Sequence, residues 1–157
     1  MTFMPLLLLV VSPQVDGPPS DKTTAPLRIE NAWVREAPPT AKVMAAYGTF
    51  CNDNETAVKL TTVSSDDFDS VEMHVSVETG NAVSMERLKD VAIGPHDCVD
   101  FAPGGRHFML FAPSRPLRSG DTVSLTLQLA NGNAMKVTLP VRRPEETGQQ
   151  HNHDGHH

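Results

Sequence analysis

Short runs in which apolar and polar residues alternate, separated by turn residues, recur through most of this 157-residue chain. The clearest run is TVSLTLQL, in which Val123, Leu125, Leu127 and Leu129 alternate with polar residues. Because successive side chains of a β-strand point to opposite faces of the sheet, this run predicts a strand with one buried face. No segment shows the apolar period of a long helix. The pattern therefore predicts a chain built from β-strands.

The turn residues between these runs indicate how the strands connect. Clusters such as APPT, ETGN, APGG and RSGD interrupt the runs after a few residues, which is typical of short antiparallel connections. A parallel sheet would need crossover helices, and no segment predicts one. Eight or nine short strands between residues 27 and 143 predict an all-β fold, a sandwich or barrel of Greek-key type.

Composition divides the chain into three parts. Residues 1–26 contain a short apolar run followed by polar, Pro- and Gly-rich sequence, and they are typical of a signal-like segment and linker. The run is too short to span a bilayer, and no Lys or Arg precedes it, so a frayed apolar terminus stays open as the alternative. Residues 27–143 form the predicted β domain. Residues 144–157 are predicted to be a flexible, His-rich tail.

The charge and the motifs exclude several classes of function. The formal net charge of −6 argues against a nucleic-acid partner, because neutralising phosphates requires a basic surface. The chain also lacks the GxSxG, GxxxxGK[ST], HExxH and GxGxxG motifs of common catalytic and nucleotide-binding sites. The sequence therefore predicts a protein that is not an enzyme.

Methionine and histidine occur together in two of the predicted strands. In RHFMLF, His107 and Met109 are two residues apart and project from the same face of the strand. In VEMHV, His74 lies on the polar face with Glu72, while Met73 points toward the core. Thioether sulfur is a soft neutral ligand that binds Cu(I) well and hard cations poorly. These strands therefore indicate a soft-metal site.

Other metal sites fit the sequence less well. Zinc prefers thiolate, imidazole and carboxylate ligands, and no such spacing is present. A blue-copper centre needs a Cys ligand close to its His and Met, but Cys98 lies nine residues before His107 and no His follows closely. The residues therefore favour a Cu(I) carrier. From the sequence alone, Cys51 and Cys98 are either a disulfide or two buried thiols.

The spacing H-x10-M-x21-H-x-M, formed by His74, Met85, His107 and Met109, resembles the signature of the periplasmic copper chaperones of the PCuAC family. IENAWVREAPP and PGGRHFMLF are similar to the opening strand and the His-x-Met segment of that family, and the resemblance covers residues 27–141. It implies a cupredoxin-like Greek-key β-sandwich that binds one Cu(I) ion through these four residues.

The resemblance also implies a function and a location. Family members are periplasmic and deliver copper for the assembly of cytochrome c oxidase copper centres, with an oxidase subunit or a Sco-type copper protein as the partner. A stable membrane span is not expected. Two alternatives stay open, a periplasmic copper buffer for resistance and a thiol-disulfide reductase in which Cys51 and Cys98 act on an oxidase copper site.

The C-terminal sequence GQQHNHDGHH indicates a second metal site. Imidazole ligands suit Cu(II), and a His-rich polar tract is a compositional signal for metal binding. A merely solubilising tail is the alternative. The predicted Cu(II) ligands are the four tail histidines His151, His153, His156 and His157.

Overall fold

The computed structural model describes residues 26–144, which form ten β-strands and no α-helix. Within that range no helix is long and apolar enough to cross a bilayer. The predicted signal-like segment lies almost entirely outside the described residues, as does the His-rich tail beyond Pro144. The strands are β1 (Arg28–Arg35), β2 (Val43–Asn52), β3 (Val58–Ser64), β4 (Phe68–Thr79), β5 (Ala82–Leu88), β6 (Val91–Ile93), β7 (Asp97–Phe101), β8 (Arg106–Pro113), β9 (Thr122–Leu129) and β10 (Ala134–Arg142).

The strands form two layers joined by one parallel pair. The first layer has the order β5-β4-β8-β7-β2-β1 and the second the order β10-β9-β3-β6. The layers meet where β1 pairs with β10 in parallel, with Val34 opposite Val141. Most other pairs are antiparallel, and the chain passes between the layers several times. The prediction of an all-β, cupredoxin-like Greek-key sandwich is confirmed.

Both layers contribute apolar side chains to a single core. In β9 the alternation seen in the sequence becomes real burial, because Val123, Leu125, Leu127 and Leu129 are all buried. They pack in the same cluster as side chains of the first layer. Burial of this apolar face is the main stabilising term of the fold.

The structure contains one strand more than the sequence analysis predicted. Strand β6 has only three residues, and it pairs with β3 at the edge of the second layer. Its two outer residues, Val91 and Ile93, are buried, while Ala92 is exposed. Three residues are too few to establish an alternation, so the prediction of eight or nine strands was wrong by this short element.

Three aromatic rings fill the core beneath β8. Phe108 stacks on Phe101 with ring centroids 4.3 Å apart and planes inclined by 5°. It also meets Phe50 edge-on at 5.5 Å. Phe108 is completely buried, so this packing determines which face of β8 points inward. The residues on either side of Phe108 must therefore point away from the core.

Cys51 and Cys98 form a disulfide between neighbouring strands of the first layer. They are directly opposite each other in the β2–β7 pairing, with Cα atoms 4.0 Å apart. Cys51 is buried and Cys98 is exposed. Of the two possibilities that the sequence left open, the structure shows the disulfide.

Replacing both cysteines with alanine should lower the free energy of unfolding by about 3 to 4 kcal/mol. The two residues are 47 positions apart, and a cross-link that closes a loop of this size removes conformational entropy from the unfolded chain. Urea unfolding of the double variant, compared with reduced and oxidised wild type, measures the effect. An unfolding free energy equal to that of oxidised wild type would contradict a stabilising disulfide.

Candidate metal site

The register between β4 and β8 places two histidines directly opposite each other. His74 on β4 and His107 on β8 are Cα partners, and their ring centroids are 6.1 Å apart. In an antiparallel pair, opposite residues point to the same face of the sheet. Both imidazoles therefore lie on the outer face of the first layer.

The same register adds two methionines to this face. Met109 follows His107 by two residues on β8, so it shares that face. Met85 on β5 is opposite Ser76, which follows His74 by two residues on β4. The structure thus brings the four predicted ligands to one face of three adjacent strands. Their inward-pointing neighbours Met73 and Phe108 pack in the core, as the alternation predicted.

Exposure increases from the histidines to the edge of the sheet. His107 is 6% exposed, and the side chain of His74 is 14% exposed. Met109 is half-buried, whereas Met85 is 59% exposed on β5, the edge strand of the layer. The site therefore has two covered imidazoles and one thioether that is open to solvent.

Hydrogen bonds orient both imidazole rings. Nε2 of His74 lies 2.8 Å from Oε2 of Glu72, and Nδ1 of His107 lies 3.0 Å from the carbonyl oxygen of Gly105. A carboxylate and a carbonyl oxygen can only accept, so these two ring nitrogens carry the protons. The lone pairs of the neutral rings then reside on Nδ1 of His74 and Nε2 of His107.

These two lone-pair nitrogens are buried, and neither has a hydrogen-bond partner within residues 26–144. A buried polar atom without a partner costs about 1 to 3 kcal/mol, so such atoms are candidate donors to an ion or a water molecule. Imidazoles that bind metals usually donate their other N–H to a carboxylate or carbonyl group. Both histidines have this arrangement.

Glu72 links the site to a surface cation. Its Oε1 lies 3.1 Å from a guanidinium nitrogen of Arg87, while Oε2 accepts the hydrogen bond from His74. From the sequence, Glu72 was expected on the polar face of its strand but without a role. Gly105 was expected only as part of a turn. Glu72 could have been identified as a partner, because it precedes His74 by two residues on the same strand.

An open cleft of about 430 Å³ gives access to the site. One wall contains His107, Met109 and Met85. The other wall comes from the end of β1 and the start of β2, and it includes Arg35 and Val43. The disulfide is not among the residues that line this cleft. A molecule that enters the cleft therefore meets the thioethers and one imidazole directly.

The tail histidines His151, His153, His156 and His157 lie outside the described residues. Within the described part, no group of three or more His, Cys, Asp and Glu side chains is arranged to hold a metal ion. The two histidines and two methionines are a different donor set, assembled from three strands.

Two known proteins are similar to this chain in sequence. The putative lipoprotein Lxx21020 of Leifsonia xyli subsp. xyli is 28% identical over 148 residues, which cover 94% of this chain and 84% of the relative. The uncharacterized protein RP573 of Rickettsia prowazekii is 29% identical over 98 residues, which cover 62% of this chain and 54% of the relative.

Solved structures share the fold. The copper-bound PCuAC domain from PmoF2 superposes with a TM-score of 0.64 at 24% identity, covering 76% of this chain and 94% of that domain. The solution structure of CuI-DR1885 from Deinococcus radiodurans gives a TM-score of 0.63 at 24% identity, covering 79% and 83%. At these identities the likeness shows the architecture.

The family comparison covers most of the β domain. Residues 27–141 match the model of the family described as "Putative lipoprotein LpqE-like". This range agrees with the extent of the resemblance found in the sequence. The chain belongs to the LpqE-like family and has the fold of PCuAC domains.

Proposed function

We propose that this chain is an exported copper chaperone that binds one Cu(I) ion through His74, Met85, His107 and Met109. The observation that carries the proposal is a pair of buried ring nitrogens on opposing histidines that have no hydrogen-bond partner among residues 26–144. Thioethers lie on the same face at the next positions of β8 and β5. A soft cation would satisfy both nitrogens at once.

The donor set favours copper in the +1 state. Two neutral imidazoles and two neutral thioethers add no negative charge to the ion, and soft sulfur donors prefer Cu(I). The carboxylate of Glu72, beside His74, is already occupied by His74 and Arg87. It therefore orients a ligand rather than adding a charge that would stabilise Cu(II).

Release of the ion would proceed by ligand exchange at the exposed side of the site. Met85 is on the edge strand and 59% exposed, so an incoming sulfur or imidazole reaches the copper next to it. The incoming donor forms a bond to copper as the bond to the Met85 sulfur breaks. The ion stays Cu(I), and the oriented imidazoles leave last because they are buried and hydrogen-bonded.

Location and destination follow from the relatives and from the family resemblance. The signal-like segment in residues 1–26 supports export, as do the relatives described as putative lipoproteins. The copper-bound PmoF2 domain and CuI-DR1885 support copper as the cargo. On the family resemblance, the copper is destined for cytochrome c oxidase assembly, through an oxidase subunit or a Sco-type protein in the periplasm.

Two alternative functions, a copper buffer and a thiol-disulfide reductase, make different demands on the structure. A periplasmic copper buffer would use the four core ligands together with the tail histidines, and it would have no dedicated acceptor. A thiol-disulfide reductase would need a reactive thiolate. Cys51 and Cys98 are bonded to each other, and Cys51 is buried, so the described residues offer no free thiol. The disulfide therefore disfavours the reductase, and the exposed Met85 favours delivery over storage.

Replacing His107 with alanine should weaken Cu(I) binding by more than about 100-fold, because removing a ligand costs more than removing its supporting partner. Met109→Ala should weaken it by about 10-fold, since a neutral thioether is the weaker donor. Competition with a colorimetric Cu(I) chelator under reducing conditions measures both affinities. The matched controls are His96→Ala and Met135→Leu, which change a histidine and a methionine outside the site. Affinities that are unchanged in both ligand variants would refute the site.

Glu72→Ala should weaken Cu(I) binding by about 10-fold, the usual cost of losing a partner that orients a metal ligand. Glu72→Gln keeps an acceptor for His74 and should lose less. NMR of the imidazole nitrogens should show His74 as the Nε2–H tautomer in wild type and as a mixture in Glu72→Ala. Glu86→Gln, on the neighbouring strand β5, is the control. An unaltered tautomer and affinity in Glu72→Ala would contradict an orienting role.

Changing all four tail histidines, His151, His153, His156 and His157, to alanine should remove a Cu(II) site and leave Cu(I) stoichiometry at one. Imidazole donors without thioethers suit Cu(II), whereas the Cu(I) ligands belong to the β domain. Electron paramagnetic resonance of the Cu(II)-loaded chain measures the first effect. Retention of the full Cu(II) signal by the variant would show that the tail does not bind the ion.

A further inference from the structure

The wall of the cleft that faces the methionines carries uncompensated positive charge. Arg35 lines the cleft, and Arg142 is its direct neighbour in the β1–β10 pairing. Both side chains are exposed, and neither guanidinium group makes a hydrogen bond or an ion pair within residues 26–144. The carboxylate of Glu36, which also lines the cleft, is paired with Arg143 at 3.0 Å.

These cations lie close to the proposed copper ligands. Val34 on β1 is opposite Ala46 on β2, so Arg35 lies beside Ala45, and Ala45 is opposite Met109 on β8. Two strand spacings of about 4.8 Å then separate the backbones of Arg35 and Met109, roughly 10 Å in all. In a chain with a net charge of −6, uncompensated cations at this place indicate a local field opposite in sign to the whole molecule.

Exposed apolar side chains lie on the same face. Met85 and Val83 are two residues apart on β5 and are 59% and 66% exposed. Val43, on the opposite wall of the cleft, is 37% exposed. Among residues 26–144, Val43, Val83 and Met85 are the exposed large apolar residues. Exposed apolar side chains flanked by charged residues are typical of a surface that binds another protein.

We propose that this docking surface binds an acceptor protein whose own copper site is surrounded by carboxylates. The surface consists of the cations Arg35 and Arg142 and the apolar residues Val43, Val83 and Met85. This inference rests on the proposed function and adds the charge of the partner to it. The cations steer the acidic rim of the acceptor, and the apolar residues exclude water around Met85, where the incoming donor replaces the thioether.

The test compares two acceptor peptides that share one Met- and His-containing Cu(I)-binding segment. One is flanked by four Asp residues and the other by four Lys residues. Stopped-flow mixing with the Cu(I)-loaded full chain at low ionic strength gives the transfer rates. We expect the Asp-flanked peptide to receive copper about 10-fold faster, and high salt to reduce this preference to about 2-fold, because screening shortens the range of the attraction. The net charge of −6 alone would produce the opposite preference.

Variants locate the effect on the docking surface. Arg35→Glu/Arg142→Glu should reverse the preference, and the milder Arg35→Gln/Arg142→Gln should remove most of it. The control Lys59→Glu/Lys136→Glu makes the same change in net charge on exposed residues of β3 and β10, where the ion pairs are long at 3.9 Å. The control should keep the preference. The Cu(I) affinity of all the variants should match that of wild type.

Three outcomes would overturn the docking surface. The first is a wild type that does not prefer the Asp-flanked peptide, and the second is identical behaviour of the two Glu double variants. The third is a preference that is absent from wild type and emerges only in Glu145→Gln/Glu146→Gln. That result would mean that carboxylates of the chain itself, and not those of an acceptor, pair with the cations. Failure of the proposed function is distinguishable, since it would appear as wild type that does not bind Cu(I).

Discussion

The antiparallel register between β4 and β8 is the constraint on which the site depends. It places His74 opposite His107 on the outer face and Met73 opposite Phe108 on the inner face. A shift of one residue would turn the imidazoles into the core and expose the two apolar side chains. Because Phe108 is stacked on Phe101 and completely buried, the packing energy of the core maintains the register that the site requires. Fold stability and ligand geometry thus have the same physical origin.

The two nitrogens of each imidazole have different roles, one structural and one functional. One nitrogen of each ring is bound to Glu72 or to the Gly105 carbonyl, and the other is buried without a partner within residues 26–144. The unbonded nitrogens are a cost to the folded chain that a bound cation would relieve. The thioethers differ in kind, since Met85 is exposed on the edge strand β5. This contrast between oriented imidazoles and an open thioether suits a protein that must both retain copper and release it.

Local patterns in the sequence were sufficient for the fold class and for part of the set of candidate ligands. Alternation in β9 predicted its burial, and the i, i+2 relation predicted the common face of His107 and Met109. The spacing of His74 and Met85 indicated the rest of the site only through a family resemblance. Features that depend on which distant strands pair were beyond the sequence. The Cys51–Cys98 bond needs the β2–β7 register, and the cations beside the cleft need the parallel β1–β10 pair.

X-ray absorption spectroscopy of the Cu(I)-loaded chain tests the His2Met2 site most directly, because it counts the nitrogen and sulfur donors around the ion. Two nitrogen and two sulfur donors are expected for wild type, with one sulfur fewer when Met85 is replaced by leucine. A wild-type copper shell without sulfur, or one that is unchanged by the loss of both Met85 and Met109, would contradict it.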